Sequence, residues 1–215
     1  MKARLDAIIQ REQAEYLDQL LTDADPLLAE MEKDAAENNV PIADREVAKF
    51  LAITARVSAA RKALEIGMAI GYSVVHLARG MGSGSLVVTI EPDEERIRRA
   101  SDYLNRANLM DGVRIERGKA LEVMPRLNET YDLLFIDAVK EEYKRYLDLG
   151  LPKLRTGGVV IVDNLLWGGR VAKPSPDEDS STVALREFNQ YFISHPQLRA
   201  EVLSVGDGLG YAVKI

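Results

Sequence analysis

The chain of 215 residues is long enough to bury one large core, and 1–215 reads as a single domain with 1–58 as an N-terminal helical cap. Its 28 basic and 34 acidic residues leave a net charge of −6, which argues against broad, sequence-independent nucleic-acid binding. It has no cysteine, which excludes disulfides and thiolate chemistry; with no bilayer-length apolar run and no secretion-type leader, a soluble, cytoplasmic protein is expected.

Two charged amphipathic helices are expected near 3–21 and 26–38, divided at Asp25-Pro26, where proline takes a favoured first helical position. Asn38-Asn39-Val40-Pro41 breaks the second. Residues 43–58 then place Val47, Phe50, Leu51 and Thr54 at helical spacing, a stripe that faces a core. This block caps the fold, covers a site or forms a dimer contact.

The first strand signal is Ala63-Leu-Glu-Ile66, ending in Gly67, with Gly71 ahead of Tyr72-Ser-Val-Val-His-Leu-Ala78. That predicts a buried strand, a tight turn and a helix start. The spacing Glu-x-Gly-x-x-x-Gly differs from the dinucleotide pattern, whose middle glycine lets a pyrophosphate approach a helix N-terminus. Here Ala69 takes that place, and an acid, Glu65, is placed within the turn. An acid repels a pyrophosphate, so a cationic or neutral guest is favoured. S-adenosylmethionine, with its ammonium and sulfonium, fits.

Next come a β-rich run, Ser85–Glu91, and a helix with Ile97, Ala100, Leu104 and Ala107 on one face. A strand over Val113–Gly118 precedes a short helix near 119–127. Tyr131–Asp137 is a further buried strand, a helix follows over 141–153, and Gly157–Asn164 is the fifth strand. Strands separated by helical pattern imply a mainly parallel sheet with right-handed crossovers. Trp167 to Ser181 reads as a loop, and 182–194 as a helix aligning Leu185, Phe188 and Phe192. Two last strands, 198–205 and 209–215, meet at Gly206-Asp207-Gly208, a connection short enough to make them an antiparallel hairpin.

In open parallel sheets ligands bind beyond the carboxyl ends of the strands, and acids collect there. Glu91 ends the second strand at the distance where such folds place a ribose-binding acid; alternatively it is a helix-start acid beside Pro92. Gly118-Lys-Ala120 ends the third, where backbone could approach an adenine, with Lys119 simply solvated. Asp137 ends the fourth strand, and Asp163 with Asn164 ends the fifth. If those strands are neighbours, two carboxylates and an amide converge, a hard donor set for Mg²⁺, Mn²⁺ or Ca²⁺. The alternative is a helix cap at Asp137 and a turn at Asp163-Asn164. Lys140 stands near the same edge and suits a general base, or else pairs with Glu141 or Glu142. His76 and His195 have no evident partner, and Asp207 is a turn residue.

Together Leu64-Glu-Ile-Gly67 with Gly71-Tyr-Ser73, Asp137-Ala-Val-Lys-Glu-Glu-Tyr143, Val162-Asp-Asn164 with Trp167-Gly-Gly169, and Val205-Gly-Asp-Gly-Leu209 resemble the cation-dependent O-methyltransferase family of catechol and caffeoyl-coenzyme A enzymes. The resemblance covers roughly 40–215. It implies an α/β, Rossmann-like fold: a seven-stranded, mainly parallel sheet with helices on both faces and a C-terminal antiparallel hairpin. Carried over by position, Val40, Glu65, Gly67, Met68, Ser73, Glu91, Ala120 and Asp137 would hold S-adenosylmethionine. Asp137, Asp163 and Asn164 would hold Mg²⁺ or a similar hard ion, and Lys140 would be the catalytic base. Met68, Lys119 and Val139 depart from the usual pattern. The implied acceptor is a small catechol-like phenol and the implied assembly a homodimer. Val40-Pro-Ile42 and Ala69-Ile-Gly-Tyr-Ser73 also resemble bacterial enzymes that methylate 5-hydroxyuridine in tRNA, for which Arg96, Arg98, Arg99, Arg114 and Arg117 would supply a basic surface.

Overall fold

The computed structural model describes residues 11–21 and 25–215. The first helix, α1, covers Arg11–Leu20, so the part of the expected 3–21 helix before residue 11 lies outside the described residues. Helix α2 (Pro26–Glu37) starts as the Asp25-Pro26 pair predicts: the Asp25 carboxylate accepts from the Leu27 amide at 2.9 Å. Helix α3 spans Arg45–Val57. Then follow β1 (Lys62–Ile66), α4 (Tyr72–Met81), β2 (Leu86–Glu91), α5 (Glu94–Arg106), β3 (Val113–Arg117) and a single turn, α6 (Ala120–Val123). The chain continues through β4 (Tyr131–Ile136), α7 (Tyr143–Gly150), β5 (Leu154–Val162), α8 (Ser180–Ser194), β6 (Leu198–Leu203) and β7 (Leu209–Lys214).

The seven strands form one sheet in the order β3-β2-β1-β4-β5-β7-β6. β1 pairs in parallel with β2 and β4, and β4 with β5, while β7 runs antiparallel to both β5 and β6. The last strand therefore inserts between β5 and β6, and among the described residues β7's pairings with β5 and β6 are the only antiparallel ones. Alternation along the strands builds two hydrophobic clusters, one on each face. Ala63, Leu133 and Phe135 face α2, α3, α4 and α5; Leu64, Ile66, Leu134 and Ile136 face α6, α7 and α8. Leu28, Met31, Val47 and Leu51 of α2 and α3 are buried in the first cluster, so these helices share the core of the sheet.

Three local differences from expectation have physical causes. The fifth strand begins at Leu154, three residues early, because Leu154 pairs with Tyr131 across an irregularity in register. The 141–153 helix is split: single 3₁₀ turns at Lys140–Glu142 and Leu151–Lys153 flank α7, the second carrying Pro152. The 167–181 loop contains a 3₁₀ segment, Trp167–Ala172, kinked at Gly168 and Gly169, both at positive φ. No helix among the described residues is long and apolar enough to cross a membrane.

Candidate active site

The parallel strands bring their carboxyl ends into one row, and hydrogen bonds lock the row together. The Gly67 amide donates to the Ile90 carbonyl at 3.1 Å, the Asp137 amide to Ile66 at 2.9 Å and the Asp163 amide to Ile136 at 3.0 Å. Gly67 has φ +95°, and a Cβ there would lie 2.0 Å from the Asp137 carbonyl oxygen. Only glycine lets the chain leave β1 so close to the end of β4.

A cavity of about 840 Å³ opens above this row, within the range of small-ligand sites. Gly67, Met68, Ser73, Glu91, Ala120, Asp137, Lys140, Asp163 and Asn164 all border it. Glu91 is buried; its Oε2 accepts from the Ala69 amide at 2.9 Å and its Oε1 from the Asp93 amide at 3.1 Å. Those two bonds aim the carboxylate and leave lone pairs for a further donor. Met68 is packed into the core cluster at 1% exposure, which explains a long apolar side chain at that position. Val139, by contrast, stands exposed in the cavity wall.

Two predicted cofactor residues do not border the cavity. Val40 packs against the core just beyond α2, its amide bonded to the Ala35 carbonyl at 2.9 Å. Glu65 is not in a turn. It is the fourth residue of β1 and wholly buried, because strand alternation puts it on the same face as Ala63. Its Oε2 accepts from the Thr89 hydroxyl at 2.5 Å, and its Oε1 has no hydrogen-bond partner among the described residues. Burial pushes its pKa up to about 7, against the nearby Ser73 and Thr89 hydroxyls and with the charges of Asp137 and Glu91.

At the β4–β5 end the candidate metal and base residues meet directly. The Lys140 ammonium donates to Asp137 Oδ1 at 2.8 Å, Asn164 Oδ1 at 2.7 Å and the Tyr143 hydroxyl at 2.6 Å. Tyr143, fully buried, donates its own hydroxyl hydrogen bond to the Asp163 carbonyl at 3.2 Å. Burial, then the charges of Asp137 and Asp163, hold the Tyr143 phenol well above its ordinary range. Asp163 is held above the usual carboxylate range, by burial first and by Asp137 second. The pair lacks positive charge, and Lys140 alone offsets it. Asn164 adopts φ +63° just past β5, which turns its amide back to this edge. The indole of Trp167 completes the corner, its ring centroid 5.7 Å from Lys140 Nζ.

Residues 11–215 match the family described as O-methyltransferase. A catechol O-methyltransferase of Mycobacterium tuberculosis is 37% identical over 191 residues, covering 87% of this chain and 86% of that protein. A probable caffeoyl-CoA O-methyltransferase of Dictyostelium discoideum is 28% identical over 91% of this chain and 87% of its own length. An O-methyltransferase from Bacillus cereus, solved in complex with SAH, superposes with a TM-score of 0.84 at 32% identity, covering 94% of this chain and 96% of that one. The chain belongs to the O-methyltransferase family.

In this O-methyltransferase the sequence reading missed several residues of the site. Tyr143 was visible only as an aromatic after two acids, and Asp44 only as a polar residue ahead of α3; both reach the site through chain folding. The Ala69 amide, where a dinucleotide fold has glycine, is the group that orients Glu91. The histidines do have partners: His76 lies edge-on to Tyr72 at 4.9 Å, and His195 edge-on to Tyr191 at 5.2 Å. Asp207 is a turn residue, as expected, and also accepts from the Gly168 amide at 2.7 Å, tying the hairpin to the Trp167 segment. The five arginines weighed for RNA are each paired within the chain: Arg96 with Glu91, Arg98 with Glu95, Arg99 with Asp34, Arg114 with Glu116 and Glu129, and Arg117 with Glu94. They form no free basic surface, and nothing in the site supports the tRNA alternative.

Proposed function

We propose that this chain is an S-adenosylmethionine-dependent and divalent-cation-dependent O-methyltransferase that acts on a catechol-like phenol. The observation that carries it is the Lys140 ammonium bonded to Asp137 and Asn164 beside Asp163, in the same cavity as the Glu91 carboxylate. The donor set fits a hard divalent ion: two carboxylates and an amide oxygen, short of positive charge. It falls short of three carboxylates or histidines, and no cluster of that size occurs among the described residues. Remaining coordination positions would fall to the acceptor and water, which suits two vicinal oxygens. The cofactor fit rests on Glu91 for a ribose diol and on the cavity volume.

When bound, the methyl donor supplies an electrophilic methyl on a sulfonium, and the cation makes a phenolic hydroxyl more acidic. The chain does the rest. Once Lys140 has released its extra proton to solvent, its neutral amine takes the hydroxyl proton on Nζ, and Tyr143, anchored on the Asp163 carbonyl, fixes where Nζ stands. Trp167 and Val139 offer apolar surface to an aromatic ring. The catechol activity named for a relative supports this acceptor class.

Methyl transfer to a simple catechol should require added Mg²⁺ or Mn²⁺ and stop on chelation. Asp163→Ala with Asn164→Ala should lower turnover at least 100-fold while S-adenosylhomocysteine still binds by calorimetry. Turnover that survives exhaustive chelation would sink the metal role.

A further inference from the structure

The cavity is electrically lopsided along the sheet. Beyond β2 and β3 it is bordered by Arg96 and Lys119, with Glu91 their one carboxylate. Beyond β4 and β5 it is bordered by Asp44, Asp137, Glu141, Glu142 and Asp163, against Lys140 alone. Arg170, on the neighbouring 3₁₀ segment, does not offset them: it stacks on Trp167 and bonds to Asp179.

Four of those acids are engaged inside the chain. Asp137 holds Lys140, and Asp163 takes the Asn164 amide. Glu141 accepts from the Ser180 and Ser181 hydroxyls, and Glu142 from Tyr146. Asp44 differs. It occupies the N-cap position of α3, yet its side chain makes no capping bond. No cation among the described residues pairs with it. Its Oδ2 stands 3.0 Å from the point where Gly206 would carry a Cβ, which places it between the hairpin turn and the cavity. Desolvation first, and then the charges of Glu46, Asp207 and Asp137, raise its pKa, so the field around it is negative on every side named.

We infer that Asp44 is a specificity-determining residue: it selects acceptors whose non-reacting end is cationic or neutral and rejects carboxylates and acyl-coenzyme A thioesters. This rests on the catechol reading above and sharpens it. An uncompensated carboxylate at the mouth attracts an ammonium tail and repels an anionic one, and that repulsion discriminates more sharply than added contacts would. With a divalent ion held at Asp137 and Asp163, the polyphosphate of a coenzyme A ester would still meet Asp44, Glu141 and Glu142 on this side.

The test uses the full chain with S-adenosylmethionine, Mg²⁺ and three catechols bearing an aminoethyl, an ethyl or a carboxymethyl substituent. At low ionic strength the wild type should favour aminoethyl over carboxymethyl by roughly tenfold in kcat/KM, chiefly through KM, and salt should narrow the gap. Asp44→Asn removes the charge at nearly constant size, with no capping bond to lose, and should cut that ratio at least threefold; Asp44→Lys should invert it. An unchanged ratio in Asp44→Asn, or a wild-type preference for the carboxymethyl acceptor, overturns the assignment alone. Failure to methylate any of the three overturns the catechol reading, and the inference with it.

Discussion

Replacing Glu65 with glutamine removes a carboxyl that never reaches solvent in the folded chain. Its folded pKa of about 7 stands above the reference value of 4.5, with burial the largest cause. The sign follows from linkage. Below the unfolded pKa the group is protonated in both states and has no effect. As pH rises towards 7 the unfolded chain releases its proton while the folded chain keeps it, so stability falls across that window. Above the folded pKa the whole penalty is present, about 3 kcal/mol at ~1.36 kcal/mol per unit. Glutamine fills nearly the same volume, can still accept from Thr89 and never ionises. Other titrations largely cancel when variant and wild type are compared at one pH. Urea unfolding at half-unit steps from pH 5 to 8 should therefore show the stability of Glu65→Gln rising relative to wild type, by up to about 3 kcal/mol at the alkaline end. A difference that stays flat across the series would refute the claim that this carboxyl is buried without a counter-charge.

Three further outcomes follow from the same geometry. Gly67→Ala must relieve a 2.0 Å approach to the Asp137 carbonyl at φ +95°, so it should lose about 3 kcal/mol or more of stability; a melting point within a degree of wild type would contradict the packing. Tyr143→Phe deletes the hydroxyl that holds Lys140 at 2.6 Å, and should lower kcat about tenfold with cofactor affinity unchanged, because Glu91, the carboxylate proposed for the cofactor, lies beyond a different strand. Equal kcat would remove Tyr143 from the site's machinery. Glu91→Gln places a donor where the Ala69 and Asp93 amides already donate, and should raise the Kd for S-adenosylhomocysteine at least tenfold by calorimetry. An unaltered Kd would mean that Glu91 serves only to shape the loop.

What the sequence made legible is what depends on short-range pattern. Apolar or alternating runs located all seven strands, the fifth starting three residues earlier than expected, and the ordered acids at their ends placed Glu91, Asp137, Asp163 and Asn164 in one row because parallel strands share a carboxyl edge. Lys140 was reachable for the same reason, three residues along the chain from the candidate ligand Asp137. Glu65 was assigned to the turn although the strand run Ala63–Ile66 already contains it; it lies inside β1, in register with Thr89, and its acid is a core group rather than a turn group. Tyr143 meets Lys140 only three residues away but is anchored by the distant Asp163 carbonyl, and Asp44 reaches the cavity from ahead of α3; periodicity carries no sign of either. The pairing of the five arginines is non-local in three cases, with Asp34, Glu129 and Glu94 as partners, so a one-dimensional count of basic residues overstates free positive charge.

The place where the two halves of the site touch is also where the sequence is least forgiving. Gly67 belongs to the turn beside the cofactor half, and Asp137 to the acid edge; their backbones are packed with no room for a single carbon between them. The Asp137 amide is bonded to Ile66, next to Gly67, so β1 and β4 move as one unit at this seam. A ligand that orders the turn after β1 therefore also fixes the backbone that carries Asp137, and through Asp137 the position of Lys140. Rigid coupling of this kind costs no separate hinge. It follows that binding of S-adenosylhomocysteine should slow amide hydrogen exchange at Asp137 along with that at Gly67. Protection confined to Gly67 would show that the seam opens independently on its two sides.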